Sequence, residues 1–164
     1  MVHPHPAMGG DRHHPLVVAM ADGLAAAGVA ALRLDLEDPD VTTSAEALST
    51  AATELAVDIG VEQLFLVGYS WGSVVASLAA PSGLVARVLV APPVAGFVFA
   101  ASDDLPALVL VPAHDQYGGP AAVDEAMGDW AHTTIETVDG CDHFLAGAVG
   151  RIATRAVEWL STQP

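Results

Sequence analysis

Leu64-Phe65-Leu66-Val67-Gly68-Tyr69-Ser70-Trp71-Gly72-Ser73, residues 64–73 (LFLVGYSWGS), changes character at its centre. An apolar β-type run enters it and an Ala/Val-rich helical pattern leaves it. Between them stands Gly68-Tyr69-Ser70-Trp71-Gly72, a G-x-S-x-G pattern. With 15 glycines in the chain the pattern alone is weak. The strand–turn–helix setting gives it weight, because a nucleophile elbow needs that setting. The turn is so tight that the serine adopts a strained backbone conformation, and glycine two residues to either side avoids a clash. The following helix points its positive end at the hydroxyl. The Trp71 N–H is then placed to donate to an oxyanion.

Working outward, strand-like and helix-like stretches alternate. Residues 29–36, 63–67, 85–91, 107–111 and 134–138 read as strands. Residues 15–27, 44–59, 71–80, 120–130 and 144–160 read as helices. Pro15 suits a first helical turn. Thr43-Ser44-Ala45-Glu46 fits a T-x-x-E capping box. Gly28 and Gly60 fall where helix C-caps are expected. Strict alternation predicts parallel strands joined by right-handed crossovers. The expected fold is a single α/β domain over residues 1–164. Its mostly parallel, doubly wound sheet should have about six strands, with helices on both faces. Met1 and Val2 leave room for only a very short first strand. Too few residues separate position 91 from position 107 to hold an inserted lid, so a site at that edge should be open.

Composition narrows the function classes. The net charge is −15, which disfavours nucleic acid and anionic membranes as partners. No basic region followed by an apolar stretch opens the chain, so no secretory signal is expected. The longest apolar run, residues 84–101, is broken by Arg87, Pro92, Pro93 and Gly96 and reads as strand and loop. The single cysteine, Cys141, excludes an internal disulfide, suits a reducing cytoplasm, and reads as a small packing residue. Composition neither requires nor excludes a homo-oligomer.

A serine nucleophile needs a base. His143, in VDGCDHFLAG, follows the last strand-like stretch on a short glycine-marked loop. The base needs an orienting carboxylate. Asp115, in LVLVPAHDQYGGP, sits just past a strand, at the sheet edge where ligands gather. It would accept from His143 Nδ1–H and turn Nε2 toward Ser70. Asp103, Asp104, Asp124, Asp139 and Asp142 are rivals. Asp142 is adjacent to His143, and adjacent side chains diverge. The order Ser70, Asp115, His143 is nucleophile, acid, base. Four of the seven histidines fall in the first fourteen residues. A metal site from His3, His5, His13 and His14 lacks a cysteine or carboxylate at ligand spacing, and no metal is expected. His13 and His14 read as surface or cap residues before Pro15. His114 and His132 have no assigned chemistry.

In these motifs the sequence resembles the α/β-hydrolase superfamily, and within it a small lidless group related to dienelactone hydrolases. The resemblance rests on His3-Pro4-His5-Pro6 with Gly9-Gly10, the elbow at Ser70, Ala91-Pro92-Pro93, and Asp142-His143-Phe144. It implies hydrolysis of an ester or related small acyl substrate through Ser70, His143 and Asp115, without cofactor. In that fold the loop before the first helix supplies the second oxyanion donor. Pro4 and Pro6 have no N–H, so within residues 3–8 the donor is His3, His5, Ala7 or Met8. Position after the strand favours the His5 backbone. Two departures stand out. The elbow holds serine where dienelactone hydrolases have cysteine, and an acidic stretch, residues 35–40, replaces an arginine–glycine turn. The short N-terminus motivates a rival reading, a non-catalytic binding or scaffold protein of the same fold.

Overall fold

The computed structural model describes residues 1–99 and 104–163. Asp103, one of the rival acids, and the end of the apolar run at 100–101 lie outside the described residues.

Four parallel strands lie side by side in chain order: β1 (Leu64–Tyr69), β2 (Leu84–Val90), β3 (Ala107–His114) and β4 (Thr133–Asp142). Successive side chains of a strand point to opposite faces, and two cores result. Val67, Val88, Val90, Leu108 and Leu110 pack with Leu16, Met20, Ile152 and Ala156 of α1 (Pro15–Ala26) and α5 (Val149–Leu160). Leu66, Leu89, Val109 and Val111 face the other way. They meet Leu48 of α2 (Val41–Ile59), Val75 of α3 (Trp71–Leu78) and Met127 of α4 (Pro120–Met127). The central strands are therefore apolar on both faces, as a covered parallel sheet requires. β4 runs between half-buried and exposed positions, with Cys141 buried near its end, and closes one edge.

The other edge departs from the expected strand at 29–36. Only Leu34 bridges, in parallel, to Val2, and Val2 bridges in parallel to Gly68 on its other side. Among the described residues the sheet thus has four regular strands extended by two bridging positions, where about six strands were expected. The partner is Val2, and past it the pairing cannot continue because Pro4 has no N–H. Main-chain bonds hold this edge in place of a ladder: Val2 N–H to Val67 O (2.8 Å), Tyr69 N–H to Val2 O (3.2 Å), Leu34 N–H to Met1 O (3.3 Å), and the Met1 amino group to Leu32 O (2.8 Å).

Helix limits shift for local reasons. α2 begins at Val41 because Asp40 caps it, its Oδ1 accepting the Thr43 N–H at 2.8 Å. Thr43 lies inside the helix, and the expected capping box is not the cap. α5 begins at Val149, not Phe144, because Leu145 (φ 60°) and Gly147 (φ 71°) take left-handed conformations. α3 stops at Leu78, and Ala79 is already extended two residues before Pro81. α4 ends at Met127, before Gly128. Gly60 caps α2 with φ 69°, as expected. Buried Arg87 donates to the carbonyls of Ala76 and Ala79, satisfying the C-terminal end of α3.

From Val2 the chain moves outward to Leu34, then crosses back through α2 to β1 on the opposite side of Val2. Strand order therefore reverses between Val2 and β1. In open α/β sheets the crevice at the C-terminal ends beside such a reversal is where ligands bind.

Candidate active site

Ser70 occupies the end of β1 with φ 55° and ψ −124°, a conformation side-chain-bearing residues rarely adopt. The flanking glycines make this possible. A Cβ on Gly68 would lie 2.0 Å from the Gly72 carbonyl oxygen, and one on Gly72 would lie 2.5 Å from that of His3. Both obstacles are backbone, so neither can swing aside. The Ser70 N–H donates to Val90 O at 2.9 Å, and its carbonyl accepts the Ser73 hydroxyl. Its own hydroxyl lies 2.8 Å from His143 Nε2.

His143 follows β4 on the loop that precedes α5. The loop is held from two sides. The Tyr69 hydroxyl donates to the His143 carbonyl at 2.7 Å, and the His143 N–H reaches Gln116 Oε1 at 3.4 Å. Burial, with Asp115 and Asp142 nearby, pushes the Tyr69 phenol well above its ordinary range, so it stays a donor. His143 Nδ1 lies 2.9 Å from each carboxylate oxygen of Asp115. The Asp115 side chain is 0% exposed and that of His143 7%. Asp115 Oδ1 also accepts the Tyr117 N–H at 2.8 Å, which fixes the carboxylate in place. Because a carboxylate accepts only, the proton sits on Nδ1, and Nε2 is left to accept from Ser70. Of the rival acids, Asp142 turns instead to the Phe144 N–H. Ser70, His143 and Asp115, 73 and 28 residues apart in sequence, thus form one hydrogen-bonded chain at the strand ends.

His5 and Trp71 face each other across the mouth of the elbow, with ring centroids 5.5 Å apart. The loop behind His5 consumes its own donors. The Ala7 N–H goes to His5 Nδ1, those of Met8 and Gly10 to His5 O, and that of Gly9 to Pro6 O. Trp71 is the first residue of α3, so its N–H has no acceptor within the helix.

His3 has a different place. It is buried, its Nε2 accepts the Leu36 N–H at 3.0 Å, and its Nδ1 donates to Pro4 O at 2.6 Å. It ties the His5 loop to the irregular edge of the sheet. His14 caps α1 through Nδ1, accepting the Leu16 N–H at 3.3 Å, and lies against Tyr69. Burial, the largest influence, holds His14 below its ordinary value. The acidic stretch at 35–40 is spent elsewhere. Asp35 pairs with Arg12, Asp40 caps α2, and Pro39 O accepts the Trp71 indole N–H. Among the described residues no group of three His, Cys, Asp or Glu side chains gathers closely enough to hold a metal. No helix among them is long and apolar enough to cross a membrane.

A cleft of about 350 Å³ opens over Ser70 and His143. Met8, Phe97, Tyr117 and Phe144 form its walls, and among the described residues no Asp, Glu, Lys or Arg lines it. Sequence reading missed Tyr69, Tyr117 and Phe144 as site residues. Tyr69 reads as one more apolar strand position, and its partner lies 74 residues away.

No family model and no curated protein matches the chain. Solved structures do. An α/β serine hydrolase homologue from Coxiella burnetii superposes with a TM-score of 0.77 at 21% identity, covering 97% of this chain and 82% of that one. An α/β serine hydrolase without lid from Xanthomonas campestris gives 0.76 at 22% identity, covering 99% and 82%. A Pyrococcus furiosus esterase gives 0.76 at 14% identity, covering 93% and 79%. At such identities the likeness speaks for architecture, and with the parallel sheet and the helices on its two faces it establishes that this chain has the α/β-hydrolase fold.

Proposed function

We propose that the protein is a serine hydrolase of esters or related acyl compounds. Ser70 is the nucleophile, His143 the base and Asp115 its orienting carboxylate. The observation that carries this reading is the continuous chain from Ser70 Oγ to His143 Nε2 (2.8 Å) and from Nδ1 to Asp115 (2.9 Å). It stands on a serine with φ 55°. A serine capping an ordinary turn needs neither the strain nor the buried imidazole–carboxylate pair.

His143 takes the Ser70 proton as Oγ attacks the acyl carbon. The N–H groups of Trp71 and His5 hold the resulting oxyanion. His143 then gives the proton to the leaving oxygen as the C–O bond breaks, and the acyl group remains on Ser70. Water loses a proton to His143 and attacks the same carbon. Ser70 leaves with that proton, and the carboxylic acid is released.

Fluorophosphonate labelling and turnover of short p-nitrophenyl esters test this. Wild type labels and turns over. Ser70→Ala does neither, with kcat reduced on the order of 10⁶-fold. Absence of Ser70-dependent labelling and turnover in wild type would leave the binding or scaffold reading in its place.

A further inference from the structure

The walls of the cleft are not equivalent, because the two halves of an ester leave the site at different times. The leaving oxygen must lie within reach of His143 Nε2, since that atom protonates it. Whatever the leaving oxygen carries therefore lies against the side chains beside the imidazole. Among the described residues three aromatic rings border it: Tyr69, buried, 5.9 Å from the imidazole and tied by its hydroxyl to the His143 carbonyl, and two exposed rings that face the cleft. The Tyr117 ring is 4.7 Å from the His143 ring at 67°, and the Phe144 ring is 5.8 Å from it at 89°. Both are substantially open to solvent, 44% and 59% exposed, although they border a buried histidine. Tyr117 is held by its backbone bond to Asp115, and Phe144 by its bond to Asp142. Met8 and Phe97 also line the cleft. The absence of charged groups among the described residues lining the cleft is pointed, given a net charge of −15 over the chain.

We propose that Tyr117 and Phe144 form an alcohol-side subsite that selects neutral esters with an apolar, preferably aromatic, leaving group. This rests on the serine-hydrolase reading above. The subsite acts in acylation only. The proton on Nε2 passes to the leaving oxygen, the alcohol departs from between the rings, and the acyl-enzyme that remains is the same for every alcohol.

The test compares benzyl and methyl acetate, whose alcohols are of nearly equal acidity, so that chemistry is held constant and recognition varies. Wild type should favour the benzyl ester in kcat/KM by about tenfold, the scale of one aromatic contact. Phe144→Ala and Tyr117→Ala should each reduce that ratio several-fold. Single-turnover measurements should place the loss in acylation, with the rate of acetyl-enzyme hydrolysis holding. An unaltered ratio in both variants, or an equal loss in deacylation, would overturn the subsite while Ser70-dependent labelling persists. Loss of that labelling in wild type would instead overturn the hydrolase reading itself.

Discussion

The two sides of the cleft are built in different ways. On one side, Ser70, Asp115 and His143 are mounted at the ends of β1, β3 and β4, which belong to one continuous parallel ladder. On the other, the His5 loop leaves a strand reduced to a single bridging residue, Val2. That side is also less well filled. A largely apolar hollow of about 150 Å³ lies between Leu24, Leu34, Leu48 and Phe65, beneath the irregular edge. The ladder fixes its side through many equivalent bonds. The irregular side depends on a few particular ones: the backbone of Val2 and the ring of His3, which joins Leu36 to Pro4. A site half-held by a ladder and half-held by named side chains should fail differently on its two sides.

Gly72 is where the sides touch, and it offers the hardest test of the comparison. Gly72→Ala forces a Cβ against the carbonyl oxygens of His3 and Val2. It should cost about 3 kcal/mol of stability, readable by urea unfolding, and it should lower the proposed esterase activity. Wild-type stability and activity in this variant would show that the two sides are not in contact as described.

His3→Ala acts on the irregular side alone. It leaves the Leu36 N–H without its acceptor and should cost about 2 kcal/mol. If the loop then loses its position, kcat should fall on the order of 100-fold, as when one oxyanion donor is lost. Fluorophosphonate should still label Ser70. A variant with full kcat would show that the Val2 bonds alone hold the loop.

The smallest effect concerns His14, which caps α1 beside Tyr69. Its proton affinity in the folded state is lowered, so the unfolded chain takes up the proton first as pH falls. The stability it contributes is complete above the ordinary histidine value of 6.5 and declines as pH falls below it. His14→Asn keeps a capping side chain without the titration. Between pH 7.5 and 5.5 its melting temperature should fall less than that of wild type, by roughly 2 °C. Parallel slopes would remove His14 from the acid response.

The pattern of what the residues disclose follows the same division. The elbow was legible because strand, turn and helix are contiguous, and a serine between two glycines has few other uses in that setting. Asp115 was legible as an acid just past an apolar strand, and His143 as a histidine on the short glycine-marked loop after the last strand. Residues 29–36 were not, because a strand exists only with a neighbour, and theirs bridges to them at Val2 alone. The start of α5 was hidden because Leu145 carries no mark of its left-handed conformation. The Tyr69–His143 bond was hidden for a similar reason. A hydroxyl on an apolar strand does not name a partner 74 residues away.

One consequence follows from the bond between the Ser70 N–H and Val90 O. Strand β2 contributes no side chain to the proposed chemistry, yet its ladder sets where Ser70, the proposed nucleophile, stands. The walls of the cleft, by contrast, come from a short 3-10 turn and from loops: Met8, Phe97, Tyr117 and Phe144. On the proposed mechanism, reactivity and selectivity are carried by separate parts of the chain. Loops tolerate change that ladders do not. A library confined to those four positions should move substrate preference widely while the elbow keeps its shape, which makes this small open scaffold a convenient starting point for directed evolution.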